Sequence, residues 1–285
     1  WLADRVIDFI KEHKDGPFCY MLSLPDPHGP NTVRAPYDTM YNDKPIYIPK
    51  TLGQTDEESP AFAPPQPNLN EANLRRIQPE YYGMVRCIDD NVGRILQTLI
   101  DTKVLDHTVV VFTSDHGDLC GEHRRLNKGV PYEGSAKVPL IVYYPEKIKA
   151  GTVIDHAITT VDFMPTVLDL LGQKAPDTVQ GVDAACLFTG SEPCDVPEVR
   201  FMRGTNNWLC ALSDRYKLVY GKTGEPWLFD LQADPDETKN FFADPQYRDT
   251  VLQLTRELAA YAAANNDPYA DDPHIKAEMQ KVLGE

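Results

Sequence analysis

The chain has 285 residues, enough to bury a large core and to form two modest domains. It contains 43 Asp and Glu residues against 28 Lys and Arg, which gives a formal net charge of −15 at pH 7. A surface this acidic repels polyanions, so we expect neither nucleic acid nor a membrane as partner. A site for a small anion would need its own local cations. No apolar run approaches the roughly 20 residues of a membrane-spanning helix.

Apolar spacing divides the first two thirds of the chain into alternating helices and strands. A stretch rich in Pro, Asn and Tyr, residues 31–78, interrupts them and is interpreted as a long surface excursion. The predicted elements are, in chain order, a helix to about residue 13, a strand buried on both faces at 18–24, a helix at 81–99, buried strands at 109–112 and 139–144, and a helix from Asp162 to Leu171. This alternation predicts an α/β fold with a mostly parallel sheet flanked by helices.

The composition changes near residues 191–197, which predicts a domain boundary there. We assign residues 1–196 to the α/β domain and residues 197–285 to a small α+β subdomain. Short apolar runs separated by turn residues predict antiparallel strands in this subdomain, followed by one helix at about 245–264. The predicted strands lie at 208–212, 216–220 and 227–231.

Six cysteines are spread widely along the chain, and no two of them form the C-x-x-C spacing of a metal site. Buried thiols are the favoured interpretation, because free cysteine packs as a small apolar residue. A disulfide that closes the short loop between Cys186 and Cys194 is the alternative.

Residues that could carry out chemistry follow the predicted strands. His28 lies just beyond the run 18–24, and Asp115 and His116 lie just beyond the run 109–112. Ligands of α/β sheets gather at such strand ends, and an adjacent carboxylate and imidazole can face one divalent cation. Two ligands are too few, so the site must be completed from elsewhere. Lys128 could hold an anionic oxygen. The alternative for the Asp115–His116 pair is a capped turn without a ligand, and the alternative for Lys128 is a solvated surface lysine.

Several segments, in the same order along the chain, resemble the type I sulfatases, which belong with the alkaline-phosphatase-like hydrolases. The matching segments read PDPHGP, EYYGMVRCIDDNVGRIL, FTSDHGDLCGEH, NKG, YEGSAKVPLIVYYP, DFMPTVLDLLG and LFDLQADPDETKN. The resemblance covers almost the whole chain. It implies hydrolysis of organic sulfate esters by an alkaline-phosphatase-like fold, and a secreted or periplasmic location by family tendency.

The resemblance also implies roles for particular residues. Asp115 and His116 match the second pair of ligands of a divalent cation, most often Ca²⁺; because a nitrogen ligand is less typical of Ca²⁺, Mn²⁺ is the alternative. Lys128 matches the lysine that contacts the sulfate group, and His28 matches the histidine that binds sulfate or assists the leaving oxygen. His123 also occupies a motif position and is a candidate substrate contact, with a hydrogen-bonded loop histidine as the alternative.

One part of the family pattern is absent from the sequence. The nucleophile of these enzymes is a formylglycine made from the first residue of a Cys- or Ser-x-Pro-x-Arg motif, and no cysteine or serine here begins one. The tandem aspartates that open the family's metal site are missing too. Asp89 and Asp90 do not replace them, because neighbours inside a helix point about 100° apart. We therefore expect a missing upstream segment of the same enzyme as partner, and no activity from the 285 residues alone.

A polar and aromatic cluster near the start of the subdomain is a candidate sugar-binding surface. It comprises Arg203, Asn206, Asn207 and Trp208; a surface turn with Trp208 packed at the domain junction is the alternative. The expected substrate is thus a small sulfate ester, with a sulfated sugar as one option. Two other functions stay open: a phosphodiester or phosphonate monoester hydrolase on the same scaffold, and a non-catalytic binding protein on a decayed sulfatase scaffold.

Overall fold

The computed structural model describes residues 1–204 and 207–284. The helices are α1 (Leu2–His13), α2 (Glu71–Asp101), α3 (Glu133–Ala136), α4 (Phe163–Leu170), α5 (Ala185–Thr189), α6 (Arg248–Ala264) and α7 (Pro273–Leu283). The strands are β1 (Val110–Thr113), β2 (Leu140–Tyr143), β3 (Arg200–Arg203), β4 (Trp208–Leu212), β5 (Tyr216–Gly221) and β6 (Trp227–Asp230). Within this part of the chain, none of the helices combines the length and apolarity that crossing a bilayer requires.

Helix α2 begins ten residues earlier than the apolar spacing predicts. The Asn70 side chain accepts hydrogen bonds from the backbone N–H groups of Ala72 and Asn73, at 3.0 and 3.3 Å. The Asn73 side chain in turn accepts a hydrogen bond from the Asn70 N–H. This reciprocal cap satisfies N–H groups that have no partner inside the helix. The first turns of α2 therefore belong to the segment that was interpreted as surface excursion, and Pro79 lies inside the helix.

The apolar run 18–24 does not form the predicted buried strand. It is assigned to no strand, and Met21 is 89% exposed. A strand is stabilised by hydrogen bonds to a neighbour, and among the described residues no other strand pairs with this run. The prediction of burial on both faces was therefore wrong for these residues.

Strands β1 and β2 pair with each other and run antiparallel, from Val110 opposite Tyr143 to Thr113 opposite Leu140. The direction of pairing differs from the mostly parallel sheet that the sequence predicts. Their side chains are also less buried than predicted, since Phe112 and Ile141 are 39% and 60% exposed. Alternation of strands and helices along a chain does not by itself fix which strands become neighbours, and this pair are direct neighbours across the loop that carries α3.

Beyond β2, α4 is followed by α5, and a disulfide between Cys186 of α5 and Cys194 closes the short loop after this helix. The prediction of buried thiols was wrong for this pair, and it was also wrong for Cys19, which is exposed. Cys210 is a buried thiol, as predicted. The pair that the fold joins is the one that the sequence offered as the alternative, because these two cysteines are only eight residues apart.

The carboxy-terminal subdomain is an antiparallel sheet in the order β3-β4-β5-β6, which confirms the predicted antiparallel strands. One face of the sheet packs against α6 and α7. Helix α6 was predicted, whereas α7 was not. Asp272 caps α7 by accepting the N–H groups of His274 and Ile275, and Pro273 occupies the first turn, where no N–H is needed.

The other face of this sheet is also buried, and it is covered by Phe62, Ala63 and residues of the loop between β1 and β2. The side chains of this second core are Phe62, Ala63, Leu119, Val130, Tyr132, Trp208, Cys210, Val219, Trp227 and Phe229. A further link joins the subdomain to the α4 region, where the buried Asp162 accepts a hydrogen bond from the buried Arg200 of β3. The loop between β1 and β2 is therefore built directly on the subdomain sheet.

Candidate functional site

Asp115 and His116 follow β1 and begin the loop to α3. The loop is held against α3 by the Gly117 N–H, which donates to the Ser135 carbonyl at 2.8 Å. A Cβ atom at Gly117 would lie 2.2 Å from the Gly134 carbonyl oxygen, so only glycine permits this close approach. The backbone turn that follows the Asp-His pair thus depends on tight packing between two short segments.

The Asp115 and His116 side chains face each other. His116 Nδ1 donates to the Gly117 carbonyl at 2.8 Å, which leaves its Nε2 with a free lone pair. That Nε2 lies 3.6 Å from Asp115 Oδ2, and the Asp115 side chain is 85% exposed. Two acceptors at this distance repel unless a cation or proton lies between them. A backbone acceptor on the other ring nitrogen is also what metal-binding histidines use to fix their tautomer, so this pair fits a divalent cation.

His28 and Lys128 meet from segments 100 residues apart. The Lys128 Nζ lies 2.7 Å from His28 Nε2, and His28 Nδ1 is 2.9 Å from the Gly29 carbonyl. If Nδ1 carries the proton that the carbonyl accepts, Nε2 is the acceptor for the Lys128 ammonium. The pair therefore places a positive charge and a potential proton carrier at one point.

The two pairs lie beside each other, because the rings of His28 and His116 are 6.4 Å apart. The structure thus brings together His28, Asp115, His116 and Lys128, the four residues that the sequence assigns to chemistry. On this acidic chain, the positive charge of Lys128 therefore lies next to Asp115 and His116, whose side chains are typical metal ligands. Over residues 1–204 and 207–284, no group of three or more His, Cys, Asp or Glu side chains is placed to hold a metal ion.

The segment between the Asp-His pair and Lys128 is folded back on itself by Asp118. One carboxylate oxygen of Asp118 accepts the N–H groups of Cys120 and Asn127, at 2.9 and 3.0 Å. The Leu119 N–H also donates to the Asn127 carbonyl at 3.0 Å. These bonds close the loop at its base and bring Lys128 back toward the end of β1.

His123 lies in the interior beneath this loop and is only 3% exposed. Its ring stacks on Tyr132 with centroids 3.5 Å apart, and its Nδ1 lies 2.8 Å from the Gln54 side-chain oxygen. Burial, together with the positive charge of Lys217, lowers the pKa of His123 to about 4. The structure therefore places His123 as a neutral, buried ring that supports the loop, which matches the alternative of a hydrogen-bonded loop histidine.

Each described member of the predicted sugar-binding cluster has a partner within the protein. Arg203 pairs with Asp267 at 3.2 Å, and the Asn207 amide donates to the Phe62 carbonyl at 3.2 Å. Trp208 is 4% exposed and donates its indole N–H to the Gly129 carbonyl at 3.0 Å. Its burial matches the alternative of packing at the domain junction. Asn206 lies outside the described residues.

Lys217 and its partners were missed by the sequence analysis. This lysine of β5 is fully buried, and its ammonium donates to the Pro131 carbonyl, Glu133 and Glu237 at 2.7 to 2.8 Å. Burial alone lowers the pKa of Lys217, but the carboxylates of Glu237 and Glu133 outweigh it and hold the pKa above its usual value. The signal in the sequence was a single lysine within the apolar strand Tyr216–Tyr220, on the same face as Val219.

Asp89 and Asp90 are engaged within and beside α2. Arg86 pairs with both of them, at 3.3 and 2.7 Å, and Asp90 also accepts the Tyr37 hydroxyl at 2.8 Å.

Comparisons with known proteins identify a family. The sequence profile described as Sulfatase matches residues 2–173, and the profile described as N-sulphoglucosamine sulphohydrolase, C-terminal, matches residues 121–264. The chain is 31% identical over 284 residues to an arylsulfatase of Clostridium perfringens, covering 95% of this chain and 59% of the relative. It is also 31% identical over 204 residues to an N-acetylglucosamine-6-O-sulfatase of Bacteroides thetaiotaomicron, covering 66% and 36%.

A solved structure has the same fold. The phosphonate monoester hydrolase of Agrobacterium radiobacter superposes with a TM-score of 0.74 at 25% identity, over 92% of this chain and 60% of that protein. The alkaline-phosphatase-like fold predicted from the sequence is thereby confirmed. The chain spans about 60% or less of the length of each of these three proteins.

Proposed function

The chain belongs to the sulfatase family, and we propose that it supplies the sulfate-binding groups and half of the metal ligands of a hydrolase of organic sulfate esters. The observation that carries this proposal is the meeting of His28 and Lys128, at 2.7 Å, beside the Asp115–His116 pair. A tetrahedral anion needs positive charge close to its oxygens, and the chain as a whole, at −15, does not provide it.

Lys128 provides that charge where the substrate's sulfuryl oxygens would lie, and it opposes the charge that develops in the transition state. His28 is in contact with the ammonium through a ring nitrogen, so the pair can deliver a proton to the leaving alcohol oxygen. Proton delivery matters because an alkoxide is a poor leaving group in water.

Asp115 and His116 would hold a divalent cation, a cofactor that sulfatases use. When bound, such an ion acts as a Lewis acid on a sulfuryl oxygen. We propose Ca²⁺, with Mn²⁺ as the alternative because one of the two donors is nitrogen. The remaining ligands and the nucleophile would lie in a segment of the same enzyme outside these 285 residues, since no Cys- or Ser-x-Pro-x-Arg motif occurs among them.

A sulfated sugar is the proposed class of substrate. The support is the relative named N-acetylglucosamine-6-O-sulfatase, which is 31% identical to this chain over 204 residues. The Cys186–Cys194 disulfide supports a secreted or periplasmic location, because structural disulfides persist in oxidising compartments.

A phosphonate monoester hydrolase is the second candidate. It is favoured by the likeness to the solved hydrolase of that name, and by the tetrahedral geometry that phosphoryl and sulfuryl groups share. A non-catalytic binding protein is the third, and it predicts that the segment outside these residues lacks the nucleophile motif.

The test is hydrolysis of an aryl sulfate and of an aryl phosphonate monoester by the full-length protein and by residues 1–285 alone. We expect the full-length protein to prefer the sulfate and residues 1–285 to show no turnover of either. Faster turnover of the phosphonate would favour the second candidate, and no turnover by an intact full-length protein would favour the third. Turnover by residues 1–285 alone would contradict the proposal that the nucleophile lies elsewhere.

A further inference from the structure

The segment that follows Lys128 is held against the subdomain sheet. This Lys128 loop, residues 128–133, places Val130 and Tyr132 in the second core, where they are 3% and 0% exposed. Tyr132 meets the ring of Phe229 of β6 edge-on, with centroids 5.9 Å apart. A loop with alternate side chains buried in a sheet face cannot move without disturbing that core.

Two side chains from neighbouring strands also hold the backbone of the Lys128 loop. Trp208 of β4 donates its indole N–H to the Gly129 carbonyl at 3.0 Å. Lys217 of β5 donates to the Pro131 carbonyl at 2.7 Å. These are alternate carbonyls of one short segment, and the first of them belongs to the residue directly after Lys128.

The Lys217 contact is the more costly of the two to disturb. A fully buried ammonium requires nearby negative charge, which Glu133 and Glu237 provide at 2.7 and 2.8 Å. Glu237 also accepts the Glu133 N–H at 2.6 Å, so the same group of charges fixes the end of the Lys128 loop. A cavity of about 140 Å³ lies beside this group and is lined by both glutamates.

Gly129 lies between Lys128 and the anchored residues with a φ of 96°, a left-handed conformation that favours glycine. Its N–H donates to the Ser135 hydroxyl at 3.2 Å, while its carbonyl is held by Trp208. The direction in which the chain leaves Lys128 is thus fixed from both sides. Small movements matter here, because a misplacement of about 1 Å can lower a rate by roughly 10²-fold.

We propose that Trp208 and Lys217 are positioning residues for Lys128, so that the carboxy-terminal sheet sets the place of the ammonium that binds the substrate's anionic group. Neither side chain touches the substrate. The proposal rests on the proposed function for its effect on turnover, whereas the anchoring of the Lys128 loop can be measured without it.

The first experiment is a double-mutant cycle in the full-length protein with an aryl sulfate as substrate. Trp208→Phe keeps a ring in the core and removes the indole N–H, and we expect kcat to fall about tenfold, the equivalent of one lost hydrogen bond, with little change in KM. In a Lys128→Ala background the same substitution should have no further effect on kcat. Additive effects would overturn the proposal, because a residue that acts through Lys128 cannot act when Lys128 is absent.

Trp227→Phe is the matched control. Trp227 is a buried tryptophan of the same sheet, 7% exposed, and no hydrogen bond from its indole to any described residue is present. Trp227→Phe should create a cavity of the same kind as Trp208→Phe, but it removes no hydrogen bond to the Lys128 loop. We therefore expect kcat to stay within about twofold of wild type. An equal loss of kcat in both variants would attribute the effect to core packing and overturn the proposal.

Lys217 needs a paired substitution, since Lys217→Met alone leaves the buried carboxylate of Glu237 without a cation and is expected to unfold the protein. Lys217→Met with Glu237→Gln removes one charge of each sign and keeps the acceptor for the Glu133 N–H. This variant should fold, lower kcat about tenfold, and again have no effect in a Lys128→Ala background. A folded paired variant with wild-type kcat would remove Lys217 from the proposal.

Hydrogen exchange of a peptide that contains residues 128–133 provides a measurement independent of sulfatase activity. Trp208→Phe and the paired Lys217 variant should each increase its exchange rate severalfold, while Trp227→Phe should not. Unchanged exchange in the first two would overturn the anchoring. If the wild-type protein hydrolysed no sulfate ester, the proposed function would fail, and the anchoring would be decided by exchange alone.

Discussion

Two groups of polar residues, both with members between residues 115 and 133, have opposite surroundings. The proposed catalytic edge, defined as His28, Asp115, His116 and Lys128, lies where side chains reach solvent, and Asp115 is 85% exposed. The buried junction, defined as His123, Tyr132, Glu133, Lys217 and Glu237, lies beneath it, and its lysine is fully buried. His123 and Lys128 are five residues apart, so sequence proximity does not decide to which group a residue belongs.

The difference teaches what each group can contribute. Exposed polar groups exchange water for a ligand at little cost, so their substitution should affect binding and turnover more than folding. Buried polar groups have already exchanged water for protein partners, and loss of one partner leaves the other without compensation. Substitutions in the junction should therefore lower stability, and they should reach turnover only through the position of Lys128.

The largest expected effect concerns Asp115 and His116, the proposed metal ligands of the proposed catalytic edge. Replacement of Asp115 and His116 together by Ala in the full-length protein should abolish stoichiometric divalent-ion content and lower turnover by about 10³-fold or more, since a Lewis-acid cation is worth several kcal/mol. Metal analysis of the purified protein is the measurement. Asp89→Ala with Asp90→Ala, which removes a pair of acids from α2, is the control and should retain the ion. One tightly bound ion per chain in the first variant would remove this pair as ligands.

The next effect concerns the cation of the edge. Lys128→Ala in the full-length protein should lower kcat by roughly 10²-fold, the usual loss when one group that stabilises developing oxyanion charge is removed. The melting temperature should change little, because Lys128 contacts His28 near the surface. Lys174→Ala, at a side chain that is 88% exposed, should keep both values. Activity within threefold of wild type in Lys128→Ala would contradict the assignment.

The smallest effect tests the junction through pH. The pKa of His123 is about 4 in the folded chain, below its ordinary value near 6.5, so the unfolded chain binds the proton more readily. The contribution of neutral His123 to the free energy of unfolding is fully present above pH 6.5 and should be lost as the pH falls toward 4. The expected loss is about 1 kcal/mol between pH 6 and pH 5.

Urea unfolding of residues 1–285 at these two pH values measures the loss. His123→Gln cannot take up the proton, and its stability should therefore fall by about 1 kcal/mol less over the same interval. His13→Gln, at an exposed position, should keep the wild-type dependence. Equal pH dependence in wild type and His123→Gln would show that His123 is not buried as a neutral ring.

Much of the fold could be predicted because it follows from local patterns. The apolar spacing predicted α1, α2 and α6, and the short apolar runs predicted β4, β5 and β6. The errors occurred where a partner decides the outcome. The run 18–24 has the composition of a buried strand but no described neighbour to pair with, and the start of α2 depends on a cap at Asn70.

The sequence by itself determined the chemical capacity of the site: an adjacent carboxylate and imidazole after a strand, a histidine before a turn, and a lysine in an ordered motif. Only the tertiary structure decided where those groups lie and what each of them contacts. It turned His116 Nε2 toward Asp115, brought His28 to Lys128 across 100 residues, and buried His123 and Trp208, which the sequence could equally have placed in contact with a substrate. The physical reason is that exposure and charge pairing depend on long-range packing, and the sheet that buries one face of the Lys128 loop begins more than 70 residues further along the chain.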